Sequence, residues 1–135
     1  MAQRGWSIGF FGLFGRSPAL REFDKALRAV DLHPKLVPEA VKLAALGLID
    51  DHARGKDPRP ETYAAAAEIL GYCALGPDHF AGANGEAQAA QVERRIEEAL
   101  GAGVNLDAQL VLLALHAKII QPGVVESFQL ESGTD

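Results

Sequence analysis

Four histidines, one cysteine and a pair of adjacent aspartates are the residues of this chain best able to do chemistry. His52, His79 and His116, with Asp51 and Asp78 beside two of them and Gln109 as a further polar group, are the set from which a metal centre or an acid–base pair would be drawn. A structural or catalytic metal needs several such ligands at one point, which sequences usually supply as a His-x3-His or His-Glu-x-x-His pair on one helix face. Neither spacing occurs here. Asp50 and Asp51 are neighbours, and neighbours on a helix point about 100° apart, so they do not converge on one hard cation. Cys73 has no basic residue nearby to lower its pKa and reads as a buried structural thiol rather than a nucleophile. The glycines form no phosphate loop: Gly9-Phe-Phe-Gly12-Leu-Phe-Gly15 has no following Lys-Ser/Thr, and at Gly82-Ala-Asn-Gly85 the negative charge is already supplied by Glu86. The expectation is no cofactor, no metal and no catalytic residue. A metal or enzymatic centre on His116, His52 and Asp78 stands as an alternative.

These side chains must be positioned by helices, because no stretch alternates apolar and polar residues as a strand does. Leu106–Ile120 has eleven apolar residues of fifteen, spread over all sides. A helix apolar all round normally has neighbours all round, so this one is expected at the centre of a bundle. On it, Gln109 and His116 fall on one side and Asp107 and Lys118 on the other. Lys118 near the C-terminus favours water, which leaves Gln109 and His116 as the expected dry edge, each in need of a partner. Residues 38–54 form a second expected central helix, apolar from Val41 to Ile49 except at Lys42, with His52 at the edge of the core.

Around these two, residues 18–30, 60–74 and 86–100 read as outer helices. Ser17-Pro18 is an N-cap followed by proline at the first helical position, and Leu20, Phe23, Leu27 and Val30 share one face. Tyr63, Ala66, Ala67, Leu70 and Ala74 make one face of the third helix, and Ala89, Val92, Ile96, Ala99 and Leu100 that of the fourth. Asp78–Ala83 and the Val124–Phe128 stretch suggest one or two short helices. The fold class is therefore all-α: a single-domain bundle of about five main helices plus one or two short ones over residues 17–130, followed by a polar tail at 131–135.

Residues 1–16 differ from the rest, with Trp6, Phe10, Phe11 and Phe14 among four glycines. Glycine at that density disfavours a regular helix, so an irregular arm is expected. Either its aromatics plug grooves of the bundle, or they form an exposed anchor for a partner or a membrane surface, where Arg4 and Arg16 meet anionic head groups. The segment is broken by glycines and is followed by Arg16-Ser17-Pro18, so it does not read as a signal peptide.

The net charge of −5 on 135 residues argues against nucleic acid as a partner. The charge is uneven: residues 1–60 carry +3 and residues 61–135 carry −8, a pattern compatible with a polar interaction surface or self-association. One cysteine permits no internal disulfide and suits a reducing, cytoplasmic setting. Acidic residues at a helix end, a short loop, then Glu61 opening an Ala-rich helix resemble the helical tellurite-resistance TerB-type domains over about twenty residues of pattern. Ile49-Asp50-Asp51-His52 stands where those domains carry Ala-Asp-Gly, and the family is not assigned on this likeness. The function expected is that of a small, non-catalytic interaction or regulatory protein, contacting its partner through the arm and the Gly76–Glu86 stretch. Peripheral membrane association through residues 1–16 is the second reading.

Overall fold

A computed structural model describes residues 17–130, and Trp6, Phe10, Phe11 and Phe14 lie outside that range. Among the described residues there are seven α-helices and no strand, in agreement with the all-α expectation. The helices are α1 (Pro18–Ala29), α2 (Glu39–Ala53), α3 (Pro60–Leu75), α4 (Pro77–Asn84), α5 (Glu86–Ala102), α6 (Leu106–Ala117) and α7 (Pro122–Ser127), with a 3-10 turn at Pro34–Leu36. One continuous core takes side chains from every helix: Phe23, Ile49, Leu70, Phe80, Ile96, Val111 and Val124 are all inaccessible to solvent.

Local chemistry sets the helix starts. The Ser17 side chain accepts from the Leu20 backbone N–H, and the Asn105 side chain from that of Ala108, so each cap satisfies a donor that a helix start leaves open. Asn105 also donates to the Ala99 carbonyl at 2.9 Å, which ties the end of α5 to the start of α6 across a 97° change of direction. Proline stands at the first turn of α1, α3, α4 and α7, where its missing N–H costs nothing.

Several ends close through a left-handed residue. Asp31, Lys118 and Gln129 have φ of 72°, 62° and 55°, and the next residue in each case, Leu32, Ile119 or Leu130, donates its N–H five residues back. That geometry turns an apolar side chain onto the helix just finished. It also ends α6 at Ala117, three residues before the expected Ile120.

The centre of the bundle is α3, not the Leu-rich α6. From Ala66 to Cys73 every residue but Glu68 is buried, and α3 packs against α1, α2, α4, α5 and α6. The cause is its small side chains. Ala66, Ala67 and Gly71 let neighbouring helices come close from several directions, and Gly71 leaves so little room that an added Cβ would stand 2.8 Å from Val30 Cγ2. Tyr72 then fills the other end, edge-on to Phe80 of α4 and to Phe128 beyond α7, with ring centroids 5.6 and 6.4 Å away. Gln121 fastens α7 to α3: its backbone N–H donates to the Cys73 carbonyl and its side chain to that of Ala74.

The two helices expected at the centre are only half enclosed. On α2 the buried residues are Val41, Lys42, Ala45 and Ile49, while Ala40, Leu43, Ala44 and Gly47 face solvent. On α6, Leu112 and His116 face solvent.

Candidate functional site

The polar residues singled out from the sequence are dispersed. His52 lines an open cleft of about 560 Å³ between the end of α2, the start of α3, α5 and the start of α6, together with Glu61, Thr62, Arg95, Glu98 and Asp107. Leu106 lines the same cleft, and His116 lies ten residues further along α6, about 15 Å away along its axis. His79 sits at the other side of the bundle, 3.4 Å from the Asp31 carboxylate, with both side chains more than half exposed. Asp51, Asp78 and His116 are exposed and Gln109 is half-buried. Among the described residues, no three His, Cys, Asp or Glu side chains come together as a metal ligand set.

The expected dry edge of α6 is therefore its wet one. The expectation assumed that Asp107 and Lys118 faced water. Lys118 does, but from the closing turn, where its φ is 62°, rather than from the helix itself. Asp107 turns inward because a cation meets it: Arg95 of α5 donates from Nη2 to Asp107 Oδ1 at 3.0 Å and from Nε to Oδ2 at 3.3 Å.

Arg95 is the most heavily used polar side chain of the described region. Besides Asp107 it donates to Glu68 Oε1 at 2.7 Å and to the Ala65 carbonyl at 3.1 Å, and Glu68 in turn accepts from Gln88 at 2.8 Å. Guanidinium, two carboxylates and an amide thus bind α3, α5 and α6 at the floor of the cleft. With four donor positions committed, Arg95 acts as a strut, and the carboxylates of Glu61, Glu98 and Asp107 leave the cleft acidic. Arg95 lies off the apolar face that Ala89, Val92 and Ile96 mark on its helix. Its partners are 27 and 12 residues away, and no helical spacing signals them.

A more deeply buried ion pair was likewise invisible to periodicity. Lys42 Nζ stands 3.0 Å from Asp24 Oδ1 between α2 and α1, with side chains 5% and 11% exposed. Among the described residues, no buried side-chain N or O is without a hydrogen-bond partner. Cys73 is fully buried, and burial pushes its pKa from 9.0 to about 12, so it is held as a neutral thiol. Burial first, and then the hydrogen bond donated to Glu93, raise the pKa of the Tyr72 phenol. These groups hold the bundle together rather than offering a reactive centre.

Four large apolar side chains, Leu36, Leu43, Val104 and Leu112, are exposed among the described residues. Leu36 is 67% exposed, and Leu43 and Leu112 are each 44% exposed. Leu43 and Leu112 lie on α2 and α6, which pack against each other. The C-terminal end of α2 and the N-terminal end of α6 meet at one cleft, lined by His52 and Leu106. Around Leu43 the exposed residues of α2 include the small Ala40, Ala44 and Gly47, while Leu112 on α6 has half-buried Gln109 and exposed His116 one turn to either side. Val104 is exposed singly at the α5–α6 turn.

No protein-family model, no curated protein and no solved structure matches the chain.

Proposed function

We propose that this chain is a non-catalytic interaction protein whose recognition surface is the outer face of α2 and α6. The observation that carries the reading is the exposure of Leu36, Leu43 and Leu112 on and beside these packed helices, with the small Ala40, Ala44 and Gly47 exposed around Leu43 on α2. Apolar side chains grouped on one face lower their free energy by about 25 cal/mol for each Å² a partner covers, whereas scattered ones bring no such gain to a single contact. The partner that suits this face is a protein segment rich in aromatic or aliphatic side chains. The expected contact at Gly76–Glu86 fits less well. That stretch is α4, which buries Phe80 and shows Asp78 and His79 to water.

The buried neutral thiol of Cys73 suits a cytoplasmic setting, which is proposed with the function. Among the described residues no single helix is long and apolar enough to cross a membrane.

A photoreactive amino acid placed at Leu43 or Leu112 in the source cells tests the reading, with Arg94 on α5 as the exposed control. The expected result is one protein adduct at both leucine positions and none at Arg94. The purified partner should then bind the chain and lose at least tenfold in affinity to Leu43→Asp. Equal labelling at all three positions, or a partner indifferent to Leu43→Asp, would refute the proposal.

A further inference from the structure

The occupant of the α2–α6 face can be sought within the chain. Ser17 caps α1, and the residues just after it, Pro18, Ala19 and Glu22, share a hollow with Asp50 near the end of α2 and with Pro60 and Tyr63 at the start of α3. The sixteen residues before Ser17 therefore join the bundle beside the C-terminal end of α2. From Asp50 back to Leu43 is about 10 Å of helix and to Ala40 about 15 Å. Sixteen residues cover about 24 Å even if wound as a helix, and about 50 Å if extended. The whole face is within their reach.

Composition and charge match as well. The segment carries Trp6, Ile8, Phe10, Phe11, Leu13 and Phe14, and its only charged side chains are Arg4 and Arg16. The hollow beside its attachment point is acidic, lined by Glu22, Asp50 and Asp57 around Tyr63. Those three carboxylates, after burial itself, hold the Tyr63 phenol above its ordinary pKa, so their field converges there. Arg16 directly precedes the cap and is the cation this hollow would meet.

We infer that residues 1–16 cover the α2–α6 face of their own chain, with the aromatics on Leu43 and Leu112 and Arg16 against the acidic hollow. This rests on the recognition role proposed for that face and adds a regulation to it: a partner gains the face by displacing the chain's own segment.

Trp6 is the chain's only tryptophan, so the intact protein carries its own reporter. The native full-length chain should emit to the blue of the same chain in guanidinium chloride and resist acrylamide quenching. The double variant Leu43→Asp/Leu112→Asp should move emission to the denatured position and lose that protection. Far-UV circular dichroism confirms that its helices remain, and Arg94→Asp should change nothing. Native emission already at the denatured wavelength overturns the inference, as does blue emission that the double variant leaves in place. A blue shift that vanishes on dilution assigns the segment to a second copy, and one that appears only with phosphatidylserine vesicles assigns it to a membrane; either refutes coverage in cis. Photo-crosslinking at Leu43 keeps the two proposals apart. An adduct with an unshielded Trp6 upholds recognition and sinks self-coverage, whereas a shielded Trp6 without an adduct does the reverse.

Discussion

Replacing Arg95 by Met keeps most of the aliphatic stem and removes its four hydrogen bonds to α3 and α6, leaving only the Gln88–Glu68 bond of that network. Two carboxylates, Glu68 and Asp107, then lose their shared cation, and the Ala65 carbonyl loses a donor. Breaking a fully buried pair costs about 3–5 kcal/mol, and an exposed one about 0–1 kcal/mol. Here the Arg95 side chain is 23% exposed and each carboxylate side chain 27%, so solvent screens part of the loss and the expected cost is about 2–3 kcal/mol. For a folded unit of this size, with an unfolding entropy near ~0.25 kcal/mol/K, that lowers Tm by roughly 10 °C. Urea unfolding followed by circular dichroism measures it, with Arg94→Met as the neighbouring exposed control. The triple variant Arg95→Met/Glu68→Gln/Asp107→Asn should recover about 1 kcal/mol, because the charges left without their cation are gone. An Arg95→Met chain within ~0.5 kcal/mol of wild type, or a triple variant no more stable than the single, would show that the network is ornamental to stability.

Two further outcomes follow from the core. Gly71→Ala improves helix propensity by about 1 kcal/mol but sets a methyl 2.8 Å from Val30 Cγ2, an overpacking that costs about 1–3 kcal/mol, so the variant should be the less stable. Adding Val30→Ala should cost less than in the wild-type background; a stabilised Gly71→Ala would refute the close contact. At alkaline pH the buried acids act together: Cys73 is raised to about 12, and Tyr72 and Tyr63 are raised also. The unfolded chain gives up these protons first, from about pH 9 for the thiol and pH 10 for the phenols, so stability is intact below pH 9 and falls as pH climbs toward 12. A disulfide reagent should modify Cys73 only as fast as the chain opens; rapid labelling of the native protein at pH 8 would contradict its burial.

How much of this was legible depends on whether the signal is local. Ser17-Pro18, Gly76-Pro77, Asn84-Gly85, Asn105 and Pro122 mark helix boundaries through chemistry confined to a few residues, and the helices begin or end there. Angular position was read less well, because on α6 it rested on a single assumption about which polar side was wet. Asp107 defeats that assumption through an arginine twelve residues away, while Lys118 is exposed as expected but in a left-handed turn beyond the helix. Lys42 is the same case on α2: a lone charge in an apolar run reads as the solvent side, yet Asp24 of α1 lets it lie buried. Of the polar set chosen from the sequence, His52 lines the cleft between α2, α3, α5 and α6, beside Arg95, which lies off the apolar face of its own helix.

Hydrophobic density pointed to α6 as the centre, and the reason it misled bears on function. A central helix must be approached from all sides, which favours Ala and Gly over Leu. Leucine spaces neighbours apart, while alanine admits them. The alanine-rich α3 meets that need, and from Ala66 to Cys73 all its residues but Glu68 are spent on the core. Leu43 and Leu112 then exceed what the described core consumes, since burying either further would require an element on the outer side of α2 and α6. A fully covered leucine is worth about 1.5–3 kcal/mol over an exposed one, so the face holds a few kcal/mol for whatever covers it. That reserve is the physical basis for reading α2 and α6 as a recognition surface, and the aromatic segment attached beside it as the first claimant.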